Sequence, residues 1–293
     1  DDYDMKGKWE AFIPFTSVVK IDITEIPHDE IPALVARFKS NSIKLVAEKI
    51  ETYEEFRKFK DMGFDYFQGY FLAKPEIVRH KKLGPSSLTM MELLTLSSQP
   101  KLNFDDVNKI IERDPSLTYL LLRFINNPMV NKRHKITSLK HALTFMGEVE
   151  VKKFISLLAL ANLSDGQPSE LMQMALVRAK FCELVFTQLE ASDNPLKGFL
   201  TGLLSLLDAM MEQRIDDLVS KVPISDDVKD ALCGTPGKLR NCLTLVQYFE
   251  RANWAGVKQF ATKYEMKQSL LHSYYNEAIK WAKHIHSSAL KDD

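Results

Sequence analysis

The stretches Leu45-Val-Ala-Glu-Lys-Ile-Glu51 and Phe67-Gln-Gly-Tyr-Phe-Leu-Ala-Lys-Pro75 decide the fold of the first part of this sequence. Each places polar residues at the end of an apolar run. A barrel strand delivers functional groups to its C-terminal rim in this way, and (β/α) barrels build their active sites at that rim. A helix-like segment separates the two stretches, so the sequence predicts consecutive βα units.

The predicted elements around these stretches alternate between strand and helix. Strand-like runs fall at residues 17–23, 44–48 and 66–72, and helical patterns fall at residues 30–40 and 53–62. This βαβαβ order predicts a parallel sheet. Three strands cannot close an eight-stranded barrel, so we expect further chain or a partner surface to cover the edges of the sheet.

Four short motifs occur in order along this region: Asp1-Asp2-Tyr3, Val19-Lys-Ile-Asp22, Ala47-Glu-Lys-Ile-Glu51 and Gln68-Gly-Tyr70. They resemble the motifs of the EAL domain, the cyclic di-GMP phosphodiesterase family. The resemblance implies that residues 1–82 form the C-terminal portion of a TIM-like (β/α) barrel whose N-terminal half is absent from this chain. Because the sequence opens inside the first motif, we expect it to be part of a longer protein.

The resemblance also implies a set of site residues. Three carboxylates match metal-binding positions of the family: Asp1, Asp2 and Glu48. Three further residues match positions near the metals, the first of them close to the attacking water: Lys20, Glu51 and Gln68. Such carboxylates would hold two Mg²⁺ or Mn²⁺ ions about 3.5–4 Å apart, with a bridging water as the nucleophile.

Two departures from the family pattern predict that this site is degenerate. The family follows Asp-Asp with a glycine-rich loop, whereas this chain has no glycine after Asp2 until Gly7. Because glycine permits backbone conformations that other residues avoid, the loop cannot have the same shape. The glycine between the two acids of the third motif is Lys49 here, which we expect to place a bulky cation beside Glu48. We therefore expect no cofactor, with Mg²⁺ or Mn²⁺ needed only if the site is functional.

Helix start and stop signals dominate from Leu88 onward. Pro115, Pro195 and Ser225 are placed as helix starts, and Gly147 and Gly234 as helix stops. Apolar residues recur at helical spacing and no alternating strand pattern competes with them. The sequence thus predicts an all-α domain over residues 83–293, joined to the α/β region by a hinge.

This second domain carries a resemblance of its own. Its segments at residues 90–96, 114–118, 124–127, 136–147, 178–183, 199–204 and 274–282 resemble HDOD domains, which are relatives of HD-type metal phosphohydrolases. An HD hydrolase ligates its metals with adjacent His and Asp residues on one helix. Ser205 and Leu206 stand at those positions here, so the resemblance implies an HD-related fold that has lost its ligand pair.

Composition argues against several classes of function. Lys plus Arg equals Asp plus Glu at 39 each, so the chain has no long-range field to attract nucleic acid or an anionic membrane. No apolar run approaches the roughly 18 residues of a membrane span, and no signal peptide is visible. Cys182, Cys233 and Cys242 lack metal-site spacing and are predicted to be core residues. We expect a cytoplasmic protein.

Three functions follow from these observations. The favoured one is non-catalytic signal transduction linked to cyclic di-GMP, in which the HDOD domain binds protein partners. A second is an effector that binds cyclic di-GMP without cleaving it. A third is an active phosphodiesterase, if the absent N-terminal half supplies the remaining metal ligands. The family resemblance points to control of motility and biofilm formation, while the oligomeric state is left undefined by the sequence.

Overall fold

The computed structural model describes residues 3, 7, 9–69, 71, 93, 95–97, 101–112, 115–126, 136, 139–163, 169–190, 194–222 and 224–286. The chain divides into two compact units, Asp1–Glu76 and Ile77–Asp293, which we call the sheet unit and the helical unit. The predicted domain boundary between residues 82 and 83 lies outside the described residues.

The sheet unit contains a three-stranded parallel sheet with the strand order β1-β2-β3. The strands are β1 (Val18–Asp22), β2 (Lys44–Ile50) and β3 (Tyr66–Gly69), and the connecting helices are α1 (Ile31–Ser40) and α2 (Tyr53–Asp61). A 3₁₀ helix, Glu10–Phe15, precedes β1. The predicted βαβαβ order and parallel pairing are confirmed, whereas three strands do not show a barrel.

The two faces of this sheet differ because side chains alternate along each strand. Ile21, Leu45 and Ala47 are fully buried and belong to one apolar core with α1 and α2. On the other face, Val18 and Tyr66 are 46% and 47% exposed. That open face also carries the polar side chains described below.

Local signals explain where α2 begins. Thr52 is its N-cap: the Thr52 hydroxyl accepts from the Glu55 amide at 3.1 Å, and the Glu55 carboxylate accepts from the Thr52 amide at 3.1 Å. This reciprocal arrangement satisfies backbone N–H groups that the first helical turn leaves without partners. It fixes the direction in which the chain leaves β2.

All regular elements that the structure describes in the helical unit are helices. They are α3 (Phe104–Glu112), α4 (Pro115–Ile125), α5 (Leu139–Leu163), α6 (Ser169–Leu189), α7 (Pro195–Leu203), the 3₁₀ turn Leu204–Leu206, α8 (Leu207–Met211), α9 (Ile215–Val219), α10 (Asp226–Leu232), α11 (Lys238–Glu250), α12 (Trp254–Lys263) and α13 (Gln268–Ile285). The all-helical prediction is confirmed for these residues. None of the described helices is long and apolar enough to span a bilayer.

Several of the predicted helix boundaries coincide with observed ones. Pro115 and Pro195 open α4 and α7, and Ser225 precedes α10 as its N-cap. Gly147 adopts a φ of 74° and interrupts α5, which agrees with its prediction as a helix stop.

The cysteines separate into two groups. Cys182 and Cys242 are buried, as predicted, and burial raises the pKa of each thiol, that of Cys242 to about 12. Cys233 is exposed, so its prediction as a core residue was wrong. It lies at the C-cap of α10, where the chain leaves the packed face of that helix.

Candidate functional site

The carboxyl ends of β1 and β2 bring four charged residues together, and we call this group the rim cluster: Lys20, Asp22, Glu48 and Lys49. Asp22 pairs directly with Glu48 in the parallel register. Lys20 lies two residues before Asp22, and alternation therefore places both side chains on the open face of the sheet.

Lys20 and Glu48 form the first ion pair of the rim cluster. The Lys20 Nζ atom lies 2.5 Å from Glu48 Oε1, and Glu48 is only 8% exposed. A buried carboxylate of this kind requires a cation or hydrogen-bond donors to offset its lost hydration. Lys20 supplies that cation from the neighbouring strand.

Asp22 and Lys49 form the second ion pair, with the Lys49 ammonium in contact with Asp22 Oδ2. Thr24 adds two hydrogen bonds to Asp22 Oδ1, from its amide at 2.9 Å and from its hydroxyl at 2.6 Å. Burial acts to raise the pKa of Asp22, but the hydrogen bonds from Lys49 and Thr24 outweigh it and hold that pKa below its usual value. Asp22 is therefore a stabilised carboxylate.

The backbone at Lys49 departs from a regular strand. Its φ is 61°, in the left-handed region that glycine adopts without cost and that a β-carbon disfavours. The pairing of β2 with β3 shifts register between Ala47 and Ile50, across this position. A β-carbon on Gly69 would lie 2.0 Å from the Ile50 carbonyl oxygen, so only glycine fits opposite the irregularity. The ends of β2 and β3, which belong to the two stretches quoted at the start, thus meet at one β-bulge.

The left-handed backbone also gives Lys49 a partner that the sequence did not predict. Its ammonium contacts Asp22, and Lys20 contacts Glu48. Successive side chains of a regular strand point to opposite faces, and a positive φ at Lys49 breaks that alternation. Asp22 and Lys49 were therefore not expected as partners.

Among the described residues, the two buried carboxylates of the rim cluster are paired with cations of the chain and do not form a metal site. Mg²⁺ and Mn²⁺ bind hard anionic oxygen atoms, but Asp22 and Glu48 each carry a lysine ammonium. The described part of the chain contains no group of three or more His, Cys, Asp or Glu side chains placed to hold a metal. The other two predicted ligands, Asp1 and Asp2, lie outside the described residues.

The remaining predicted site residues lie around the rim cluster. Gln68 is an exposed residue of β3, and Glu51 is exposed directly after β2, where its amide donates to the Glu55 carboxylate at 2.8 Å. Lys20 and Glu48, both predicted site residues, contact each other. The roles assigned to all of these residues stay predictions.

A second polar group lies in the helical unit at the turn that contains Ser205. Arg178 on α6 is 1% exposed, and its guanidinium donates to both carboxylate oxygens of Glu250 on α11, at 2.7 and 2.8 Å. A third nitrogen donates to Ser205 Oγ at 3.1 Å, and that hydroxyl donates to the Gly202 carbonyl at 2.7 Å. Leu206 is 1% exposed and contributes an apolar side chain to the core.

The surroundings of this group are apolar enough to shift other pKa values. Burial raises the pKa of Asp208, which lies one helical turn after Ser205. Burial raises the pKa of Tyr275 to about 12, and the charge of Glu250 adds to that rise. The Arg178–Glu250 pair is therefore enclosed in a region that disfavours isolated charge.

Family models match both units of the chain. The EAL domain model matches residues 15–75, and the HDOD domain model matches residues 83–221. The chain belongs to the EAL–HDOD proteins. It is 34% identical over 287 residues to the cyclic di-GMP phosphodiesterase CdgJ of Vibrio cholerae, a match that covers 97% of this chain and 66% of that protein.

Two further similarities accompany this one. The EAL–HDOD chain is 29% identical over 279 residues to the uncharacterized protein YuxH of Bacillus subtilis, covering 94% of this chain and 68% of that protein. A crystal structure of an HDOD domain protein of unknown function from Geobacter sulfurreducens matches with a TM-score of 0.39 and 15% identity, over 74% of this chain and 76% of that one. The chain spans about two thirds of the length of its two curated relatives.

Sequence reasoning on this EAL–HDOD protein missed three residues with defined partners. Asp22 shares the open face with Lys20, and its position two residues later in a predicted strand was a usable signal. Arg178 and Glu250 are 72 positions apart and lie on different helices, so neither spacing nor periodicity relates them. A charged residue inside an apolar helical face was the available hint for Arg178.

Proposed function

We propose that this chain acts in cyclic di-GMP signalling as a non-catalytic protein whose EAL region does not hydrolyse the dinucleotide. The observation that carries the proposal is the rim cluster, in which both buried carboxylates form ion pairs with lysines of the chain. The EAL family match and the phosphodiesterase name of the Vibrio cholerae relative support the link to cyclic di-GMP.

The sheet unit supports a barrel architecture within this proposal. Both helices pack against β2, and the opposite sheet face holds Lys20, Asp22 and Glu48 at the carboxyl ends of the strands. A (β/α) barrel turns such a face inward and builds its site at that end. We therefore place residues 1–82 in the C-terminal part of an EAL-type barrel, and Glu48 with Lys20 at its former catalytic rim.

The HDOD domain, residues 83–293, is the proposed output module and acts in the cytoplasm by binding protein partners. Its described residues form an extensive buried core. The HDOD resemblance places Ser205 and Leu206 where HD hydrolases carry their metal-ligating pair. A domain that keeps its fold without those ligands is suited to binding rather than to metal-dependent hydrolysis. Regulation of motility and biofilm formation is the proposed context.

Active hydrolysis is the second candidate function. The observation in its favour is the 34% identity to a protein named as a cyclic di-GMP phosphodiesterase, over 97% of this chain. In that case Asp1, Asp2 and Glu48 would hold Mg²⁺ or Mn²⁺ together with ligands from further chain, and Lys20 would release Glu48 when the metal binds.

A hydrolysis assay separates these candidates. The chain is incubated with cyclic di-GMP and either Mg²⁺ or Mn²⁺, and the linear dinucleotide is measured by chromatography for the wild type, Glu48→Gln and the exposed control Glu54→Gln. We expect no linear product from any of the three. Turnover by the wild type and Glu54→Gln that Glu48→Gln abolishes would establish the second candidate.

Two further measurements define the non-catalytic role. Calorimetric titration with cyclic di-GMP distinguishes an effector that binds the dinucleotide from a chain that does not recognise it. Cross-linking of the intact chain in a cell extract, followed by mass spectrometry, locates the partner surface. We expect the cross-linked lysines to lie between Ile77 and Asp293; cross-links confined to residues 1–76 would place the output in the EAL region.

A further inference from the structure

Among the described residues of the helical unit, the most completely buried charge is the Arg178 guanidinium, and it has partners on two other elements. It reaches Glu250 on α11 through two hydrogen bonds and Ser205 in the 3₁₀ turn through a third. Parallel hydrogen bonds of this kind are the strongest geometry that an ion pair adopts in proteins. The contact therefore ties α6 to two segments that are distant in sequence.

The Arg178 guanidinium lies at the turn that contains Ser205 and Leu206. By the HDOD resemblance, HD hydrolases carry their metal-ligating His and Asp at these two positions. Ser205 at that turn is bound by Arg178, and Leu206 is buried in the apolar core. The donor set present at this turn does not fit a transition metal, which prefers imidazole, thiolate or clustered carboxylates. The carboxylate of Glu250 contacts Arg178, and its two oxygens already accept hydrogen bonds from the guanidinium.

Close packing leaves little room for another ligand beside this contact. A β-carbon on Gly202 would lie 2.2 Å from the Arg178 carbonyl oxygen, so α6 and α7 meet with backbone nearly against backbone. Ser205 follows Gly202 by three residues and its hydroxyl is turned toward the Gly202 carbonyl. The approach of the two helices thus presents Ser205 to the guanidinium.

We infer that Arg178 is the built-in cation of the helical unit, joining α6, the Ser205 turn and α11 at the place from which the metal ligands have been lost. The unit then depends on this ion pair, and not on a divalent metal, for the docking of α11. Removal of one partner leaves the other charged and buried, which is far more destabilising than removal of both.

A double-mutant cycle on the full chain tests the inference. Thermal unfolding is followed by circular dichroism for Arg178→Met, for Glu250→Leu and for the double variant Arg178→Met/Glu250→Leu. We expect each single change to lower the unfolding temperature by at least roughly 6 °C. The double variant should recover at least half of that loss, since two apolar side chains can fill the same volume without leaving a buried charge.

An exposed ion pair of the same unit supplies the matched control. Arg214 Nη2 lies 3.2 Å from Asp216 Oδ2, with both side chains more than half exposed. Arg214→Met should therefore change the unfolding temperature by less than roughly 2 °C. Chelation with EDTA should leave the wild-type unfolding temperature unchanged.

Three outcomes would overturn the inference. One is an Arg178→Met variant that unfolds within roughly 2 °C of the wild type, as the control does. Another is a double variant that is no more stable than the single variants. If the single variants do not fold, a double variant that also does not fold counts as this outcome. The third is a fall in the wild-type unfolding temperature on addition of EDTA, because a bound metal would then be holding the unit together.

Discussion

The sheet unit and the helical unit both pair cations of the chain with buried carboxylates, but they do so at different depths. The lysines of the rim cluster keep contact with solvent: the Lys20 and Lys49 side chains are 32% and 62% exposed. Arg178 is 1% exposed. Water can take the place of a partly exposed lysine at its carboxylate, whereas a fully buried pair cannot lose one partner without a large penalty. Loss of a lysine should therefore cost less stability at the rim than in the helical core.

The largest contrast is expected between Lys153→Met in the core and Lys20→Met at the rim. Lys153 is 8% exposed in its side chain, and its Nζ lies 2.5 Å from Glu183 and 2.7 Å from Glu150. Burial opposes its charge, but both glutamates together raise the pKa of Lys153, so it stays protonated. We expect Lys153→Met to lower the free energy of unfolding by about 3 kcal/mol or more. Lys20→Met should cost less, about 2 kcal/mol, because it leaves Glu48 buried but water can take the place of a lysine that is partly exposed. Chemical denaturation measures both; equal losses would remove the distinction between core and rim.

The next effect concerns how closely the core helices pack. Gly202→Ala would normally favour a helix by up to about 1 kcal/mol. Here the new methyl group would lie 2.2 Å from the Arg178 carbonyl oxygen, so we expect a loss of about 2 kcal/mol instead. Gly237→Ala is the control, since no atom lies within 4 Å of its added carbon, and its cost should stay below about 1 kcal/mol. A stability gain in Gly202→Ala would show that α6 and α7 are not in close contact.

A smaller effect of opposite sign is expected at the rim. Lys49→Gly relieves a left-handed backbone and gives up a partly exposed ion pair, so we expect a gain of about 1 kcal/mol in the free energy of unfolding. Ser42 has a φ of 59° and supplies the control, because Ser42→Gly tests the backbone change without the ion pair. If Lys49→Gly is instead much less stable than Ser42→Gly, the Asp22–Lys49 pair contributes more than an exposed pair should.

Asp22 of the sheet unit and Asp208 of the helical unit should contribute to the pH dependence of stability in opposite directions, by the smallest amounts. The pKa of Asp22 is lowered in the folded chain, so its contribution is present above about pH 3.8 and is lost as the pH falls through the folded pKa. The pKa of Asp208 is raised, so its carboxyl opposes folding increasingly as the pH rises above 3.8 through the folded pKa.

Denaturation at pH 7 and near pH 3 measures this difference through two isosteric variants. Asp22→Asn should lower stability at pH 7 and have less effect near pH 3. Asp208→Asn should raise stability at pH 7, with the gain disappearing near pH 3. Two variants that shift stability in the same direction at pH 7 would contradict the assigned environments.

The sequence predicted the parts of the fold that depend on local pattern. Alternating apolar residues and helix signals located β1, β2, β3 and their helices, and parallel pairing then brought Lys20 and Glu48 to one edge. It did not predict the partner of Lys49, because a lysine in a strand pattern does not indicate the positive backbone φ that this residue adopts. The Arg178–Glu250 pair escaped prediction for another reason: it depends on the packing of helices 72 residues apart, which periodicity within each helix does not specify.

The central claim is that the chain's own lysines occupy the rim carboxylates in place of a metal, and a Mn²⁺ titration followed by electron paramagnetic resonance tests it most directly. The resonance signal of free Mn²⁺ decreases when the ion binds to a protein. The account predicts that the wild type, in excess over Mn²⁺, leaves that signal undiminished, and that Glu48→Gln gives the same result. A stoichiometric loss of the free-ion signal with the wild type, abolished in Glu48→Gln, would show a metal at the rim and contradict the account.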